Sequence, residues 1–161
     1  MEKFKSLSKE NTYEVEQKIL KEWQNVNILE KTIENRKNCK NFVFYDGPAT
    51  ANGMPGLHHM MAKFLKDSFC KYKTMQGYRV LRKVGWDTHG LPVELQVEKE
   101  LGFTGKKDIE KYGIKEFNQK CKESVWKNES AFSDLTNKMG QFIDLEHPYV
   151  TYDNKYIETE W

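Results

Sequence analysis

The segment from Asp46 to Gly56, Asp-Gly-Pro-Ala-Thr-Ala-Asn-Gly-Met-Pro-Gly, constrains the fold of this chain more than any other. It holds three of the ten glycines and two of the four prolines, so neither helix nor strand runs through it. Before it, Phe42-Val43-Phe44-Tyr45 is a short β-prone run bounded by turn residues, which predicts a buried strand over 41–45. After it, Leu57, Met61, Phe64, Leu65, Phe69, Tyr72 and Met75 recur at helical spacing on one face, and Gly77 stands where a helix C-cap glycine belongs. Residues 78–84 read as a second strand. Strand, loop, helix and strand make a βαβ unit over 41–84, with parallel strands and a right-handed crossover expected.

The flanking segments are mainly helical. Val15, Ile19, Trp23 and Val26 predict an amphipathic helix over 12–29, started by Asn11 with Glu14 as its capping-box partner. Residues 91–101 read as a further helix. Ile114, Phe117, Cys121, Val125, Phe132, Leu135 and Met139 place a longer one over 114–140, so the part over 91–140 is helical. A strand-like piece, Tyr149-Val150-Thr151-Tyr152, precedes a helical pattern beginning at Lys155. The fold class is therefore α/β, a short parallel sheet with flanking helices. Two or three strands make only half of a doubly wound sheet.

Composition narrows the functional classes. The chain has 161 residues, 31% of them charged, with a net charge of +2, which excludes a strongly polycationic nucleic-acid binder. Its apolar runs are far too short to span a bilayer, so no membrane partner is expected. The polar N-terminus lacks the apolar stretch of a secretory signal, which points to the cytoplasm. Cys39, Cys70 and Cys121 form no CxxC pair, so neither a zinc site nor a disulfide framework is read here. Seven basic residues between Lys63 and Lys83, against Asp67 alone, make either a face for nucleic-acid phosphates or a solvated lysine-rich surface.

The chemistry concentrates at two loops. In a doubly wound sheet, ligands sit at the carboxyl ends of the parallel strands. The first loop feeds a helix N-terminus, whose free N–H groups and dipole favour an anion, and His58 and His59 fall in the first turn. Gly47, Gly53 and Gly56 either admit a phosphorylated ligand close to the backbone or simply shape the turn. Neither GxGxxG nor GxxxxGK[ST] is present, so a nucleotide would be held in another way. The second strand ends in Gly85-Trp86-Asp87-Thr88-His89-Gly90-Leu91-Pro92-Val93-Glu94, which brings a carboxylate to the same rim. Asp87 is open to two readings, a receptor for an ammonium group or a helix cap. Trp86 is open to a place in the pocket or in the core.

Taken together, Tyr45 to His59 resembles the first signature of class I aminoacyl-tRNA synthetases. Lys66-Asp67 and Tyr72-Lys73-Thr74-Met75-Gln76-Gly77 resemble the helix that follows it, and Gly85 to Glu94 is similar to the form carried by the isoleucine-specific branch. The resemblance implies the N-terminal half of a Rossmann-like catalytic domain spanning residues 1–161, stopping near the start of an editing insert. It implies ATP with Mg2+, isoleucine and tRNA(Ile) as ligands, with the adenylate as intermediate. At matching positions it implies that His59 contacts the ATP phosphates; His58 stands where the family has the glycine on which adenine packs, and from the first turn its side chain can also donate to phosphate. Asn52 and Gly53 match the loop that closes over the nucleotide, with Gly56 beside them at the position of the signature's first histidine; Pro48 and Asp87 match the amino-acid side, where Trp86 is their neighbour in the second motif. In place of the usual His-x-Gly-His, this chain reads Gly56-Leu57-His58-His59, which keeps one glycine and two histidines in the same four positions. The KMSKS loop, editing insert and anticodon-binding domain that the family carries fall outside the segment, so 1–161 alone is expected to be inert. The other reading is a stand-alone relative that binds nucleotide or regulates without ligating.

Overall fold

The computed structural model describes residues 10–50 and 53–161. Among the described residues four strands form one sheet: β1 (Asn41–Tyr45), β2 (Ala49–Thr50), β3 (Arg79–Asp87) and β4 (Asp144–Val150). Every pairing is parallel and runs through β3. Lys83 lies between Tyr45 and Asp144, and Trp86 between Ala49 and Val150. β1 and β2 therefore share one edge of β3, and β4 takes the other. Both motif loops leave the sheet at its carboxyl end.

Seven helices flank the sheet among the described residues: α1 (Thr12–Asn25), α2 (Ile28–Glu34), α3 (Leu57–Met75), α4 (Leu91–Leu101), α5 (Lys106–Tyr112), α6 (Ile114–Lys138) and α7 (Asn154–Glu160). The helix expected over 12–29 is two helices, because Asn27 adopts a left-handed conformation at φ 46° and breaks the ladder. Asn11 caps α1 by accepting from the Tyr13 N–H at 3.0 Å. None of these helices is long and apolar enough to cross a membrane.

The core is a cluster of Val84 and Trp86 from β3, Phe132 from α6, Ile143, and Val150 from β4. Trp86 and Phe132 are 2% and 1% exposed and meet edge to face at 6.2 Å. β1 is half-buried rather than buried: Phe42 and Phe44 are partly covered, Phe42 lying 5.8 Å from the ring of Phe69, whereas Val43 and Tyr45 are exposed.

α3 forms over the expected span, but its apolar stripe does not face the sheet. Its apolar stripe, from Leu57 through Phe64 and Phe69 to Met75, is exposed, and its buried residues are Lys63, Cys70 and Thr74. Polar partners explain the orientation. Buried Arg82 of β3 donates to Thr74 Oγ1 at 2.7 Å and to the Phe142 carbonyl at 2.9 Å. Asp67 accepts from the Phe142 N–H at 3.1 Å and pairs with Lys71 at 2.6 Å. The basic run is therefore largely absorbed by the fold. Lys63 and Arg82 are buried, Lys66 and Lys71 are ion-paired, and Lys73 lies over the Tyr78 ring at 5.1 Å.

Candidate functional site

Asp46 closes β1 and opens the first loop. It is 4% exposed, its N–H donates to the Lys83 carbonyl at 2.8 Å, and its carboxylate pairs with Lys66 of α3. Strand end and helix are thus tied before the glycine-rich stretch begins. Asn52 lies outside the described residues. Gly53 and Gly56 are part-buried, and Pro48 is exposed on the loop before β2.

At the start of α3 the two histidines differ. His58 is exposed, and its ring lies 3.9 Å from that of His59. His59 is part-buried, with its ring edge-to-face on Phe132 at 5.0 Å. Gly56 has no side chain to cap the helix, so the reverse bond alone is made, with Gly56 N–H donating to His59 Nδ1 at 3.0 Å. An accepting Nδ1 requires the neutral ring and places the proton on Nε2. Burial, followed by the His58 and Lys63 charges, lowers the His59 pKa in agreement with that geometry. His59 therefore presents a fixed N–H donor at a helix N-terminus.

Lys63, 6% exposed, lies one turn further along α3. Its ammonium makes one long bond to Gln141 Oε1 at 3.5 Å, and burial lowers its pKa. These facts carry a pH prediction. The His59 pKa is lower in the folded chain than in the unfolded one, so the unfolded chain takes up its proton first as the pH falls. The stability held by neutral His59 is complete above the ordinary imidazole range and is lost as pH drops through the folded value. An NMR titration of the His59 ring is expected to give a midpoint below the ordinary histidine value. Lys63→Met, which removes one repelling cation, should move that midpoint upward. An unmoved midpoint in Lys63→Met would remove Lys63 from this account.

The second loop meets the first at this rim. Thr50 of β2 donates from Oγ1 to Asp87 Oδ2 at 2.8 Å, and Thr50 and Asp87 are register partners. Asp87 is part-buried and His89 exposed, while Trp86 turns its ring into the core. The structure thus brings Asp87, Gly53, Gly56, His58 and His59 to the carboxyl end of one sheet. A cavity of about 1230 Å³ lies at the opposite end, lined by residues such as Trp23, Arg79 and Asp144, away from both motifs. Sequence reasoning did not single out Phe132, Tyr149 or Thr151, which hold this rim in place. Their sequence signal is weak, because each acts across more than sixty residues of chain or from a different element.

A parallel sheet with two loops at its carboxyl rim, one of them entering a helix beside two histidines, matches a known family over most of the chain. The family described as tRNA synthetases class I (I, L, M and V) matches residues 18–161, and the chain belongs to it. The isoleucine–tRNA ligase of Bacteroides fragilis is 52% identical over 160 residues, covering 99% of this chain and 14% of that protein. The isoleucine–tRNA ligase of Dehalococcoides mccartyi is 53% identical over 159 residues, covering 98% of this chain and 16% of that protein. The chain thus spans about one-seventh of the length of the curated relatives it matches. Among solved structures, an Agrobacterium radiobacter LeuRS in a ternary complex with tRNA and LeuAMS aligns with 88% of this chain and 16% of its own. The TM-score is 0.56 and the identity 19%, a likeness of fold.

Proposed function

We propose that this chain carries the N-terminal half of the adenylate site of an isoleucine–tRNA ligase. One observation carries the proposal: Thr50 and Asp87 join the two motif loops at 2.8 Å on the same rim as the His59 donor. Identity of 52–53% across nearly the whole chain to isoleucine–tRNA ligases supports the choice of amino acid. The reaction is attack of the isoleucine carboxylate on the α-phosphate of ATP, which releases pyrophosphate, followed by transfer to tRNA(Ile).

In this reading His59 donates from Nε2 and His58 from its exposed ring to phosphate oxygens, beside the unpaired N–H groups of α3. Asn52, Gly53 and Gly56 form the loop over the nucleotide, which arrives with its Mg2+. Asp87 receives the isoleucine ammonium, Pro48 borders the amino acid, and buried Trp86 stands as the wall behind. The chemistry needs positioning and charge stabilisation rather than a covalent nucleophile. Residues 1–161 belong to the N-terminal part of the catalytic domain. The outward apolar faces of α3 and β1 are surfaces for the rest of that domain. A cytoplasmic location goes with this function.

The test is isoleucine-dependent exchange of labelled pyrophosphate into ATP. The protein encoded by the whole gene should exchange with isoleucine in preference to valine, leucine or methionine. Residues 1–161 alone should be inert, with ATP affinity no tighter than millimolar, because the open rim leaves its donors in water. Robust exchange by 1–161 that disappears in both Asp87→Asn and His59→Ala would overturn the half-site and make it a minimal enzyme. A gene product of only this length, without exchange, would favour the stand-alone nucleotide-binding reading.

A further inference from the structure

The end of β4 touches both motif loops, and the sequence there explains how. β4 advances five residues, from Asp144 to Tyr149, while β3 advances two, from Lys83 to Gly85. The extra residues form a bulge around Pro148, which has no N–H to give the ladder. Asp144 Oδ1 accepts from the Glu146 and His147 N–H groups at 3.0 Å and stabilises the turn. Beyond the bulge, the Tyr149 ring lies directly over Gly85. A Cβ at Gly85 would stand 2.0 Å from Tyr149 Cζ, so this crossing requires glycine. The ring spans the central strand, and its hydroxyl donates to the Asp46 carbonyl, where the first loop begins. Its burial, with Tyr156, Asp46 and Tyr45 nearby, raises the phenol pKa and keeps it a donor. On its other side Tyr149 stacks on Tyr156 of α7, with rings 5.9 Å apart and 9° from parallel.

Two residues on, Thr151 holds the second loop. The Thr88 N–H donates to Thr151 Oγ1 at 3.0 Å, and the two hydroxyls lie 3.2 Å apart. His89 Nδ1 lies 2.7 Å from the same oxygen. The Tyr152 N–H donates to Thr88 Oγ1 at 3.1 Å, which completes a buried network immediately after Asp87. Thr88 and Thr151 are both nearly inaccessible, so water cannot replace these bonds.

We infer that Tyr149 and Thr151 are separate positioning residues for the two halves of the site, Tyr149 setting the first loop, which carries the nucleotide residues and Pro48, and Thr151 the second, which carries Asp87. The assignment of the halves rests on the function proposed above, and the bracket itself rests on the hydrogen bonds. Neither residue touches the reacting atoms. Each acts through a backbone group at the root of one loop, and the strand end between them fixes the distance from loop to loop.

The experiment measures pyrophosphate exchange in the protein encoded by the whole gene, with KM for each substrate determined separately. Tyr149→Phe should raise the KM for ATP about tenfold, the scale of one lost hydrogen bond, and that for isoleucine by clearly less, since of the first loop only Pro48 borders the amino acid. Thr151→Val should raise the KM for isoleucine about tenfold and leave that for ATP within about twofold, and Thr151→Ser, which keeps the hydroxyl, should restore the wild-type values. Equal changes in both KM values for either variant, or a serine variant that behaves like valine, would overturn the inference. If exchange depends on valine or leucine instead, the proposed substrate fails, and the same split is read with that amino acid. If no amino acid supports exchange, the 15N shifts of the His89 ring decide. They should move in Thr151→Val and not in Thr151→Ser, and unmoved shifts in Thr151→Val would overturn the bracket.

Discussion

Asp87→Asn in the protein encoded by the whole gene is expected to lower isoleucine-dependent adenylate formation at least about tenfold while leaving ATP binding nearly unchanged. A hydrogen bond between an ammonium and a carboxylate contributes about 1.5–3 kcal/mol, roughly twice a neutral one. Asparagine keeps the shape and an oxygen for the Thr50 hydroxyl, which now donates to Asp87 Oδ2 at 2.8 Å. The loss should therefore come from charge alone, and the thermal midpoint should hardly move. Exchange kinetics for isoleucine and equilibrium binding of ATP separate the two ligands. Equal losses for both would make the Asp87–Thr50 pair a structural clasp between β2 and β3 rather than an ammonium receptor.

How far the sequence announced this arrangement depends on the range of the interactions. The βαβ unit was legible because its signals are local: glycines and prolines in one loop, helical spacing after it, and a glycine at the far end of α3. The motif loops were legible for the same reason. The orientation of α3 was not. Seven apolar residues on one face look like a core-facing stripe, yet that face is exposed, and Lys63, Cys70 and Thr74 turn inward instead. The reason lies in β3, where Arg82 requires Thr74 and the Phe142 carbonyl as partners, a demand no helical periodicity encodes. β4 begins earlier than expected because Asp144 to Pro148 shows no alternation. Its bulge hides the strand from a period-two reading. Asn27 gave no sign of the break between α1 and α2, since a single left-handed asparagine leaves the apolar spacing intact. Tyr149 and Thr151 fall in a strand-like run of the sequence, and their bonds to Asp46 and Thr88 emerge only once β3 lies between them.

The largest effect on stability is expected at Phe132, which links the core to the site. It is 1% exposed, with its ring edge-on to Trp86 at 6.2 Å and to His59 at 5.0 Å. Phe132→Ala should cost about 3–5 kcal/mol, the range for deleting a buried aromatic ring, against a typical total of about 5–15 kcal/mol. Urea denaturation would show it as a large fall in midpoint. The consequence for His59 is separate. Burial is the first cause of its lowered pKa, and Phe132 is the ring against which it is buried. A cavity at 132 admits water, stabilises the imidazolium and removes the Nδ1 acceptor of the Gly56 N–H, so the Nε2 donor remains but its orientation is no longer fixed. Phe132→Leu fills most of the space without the aromatic edge and should cost less than the alanine variant. Its His59 titration should still shift upward toward the ordinary histidine value. A leucine variant with reduced stability and an unmoved His59 would show that Phe132 belongs to the core alone, and that the orientation of His59 is set entirely by its bond to Gly56.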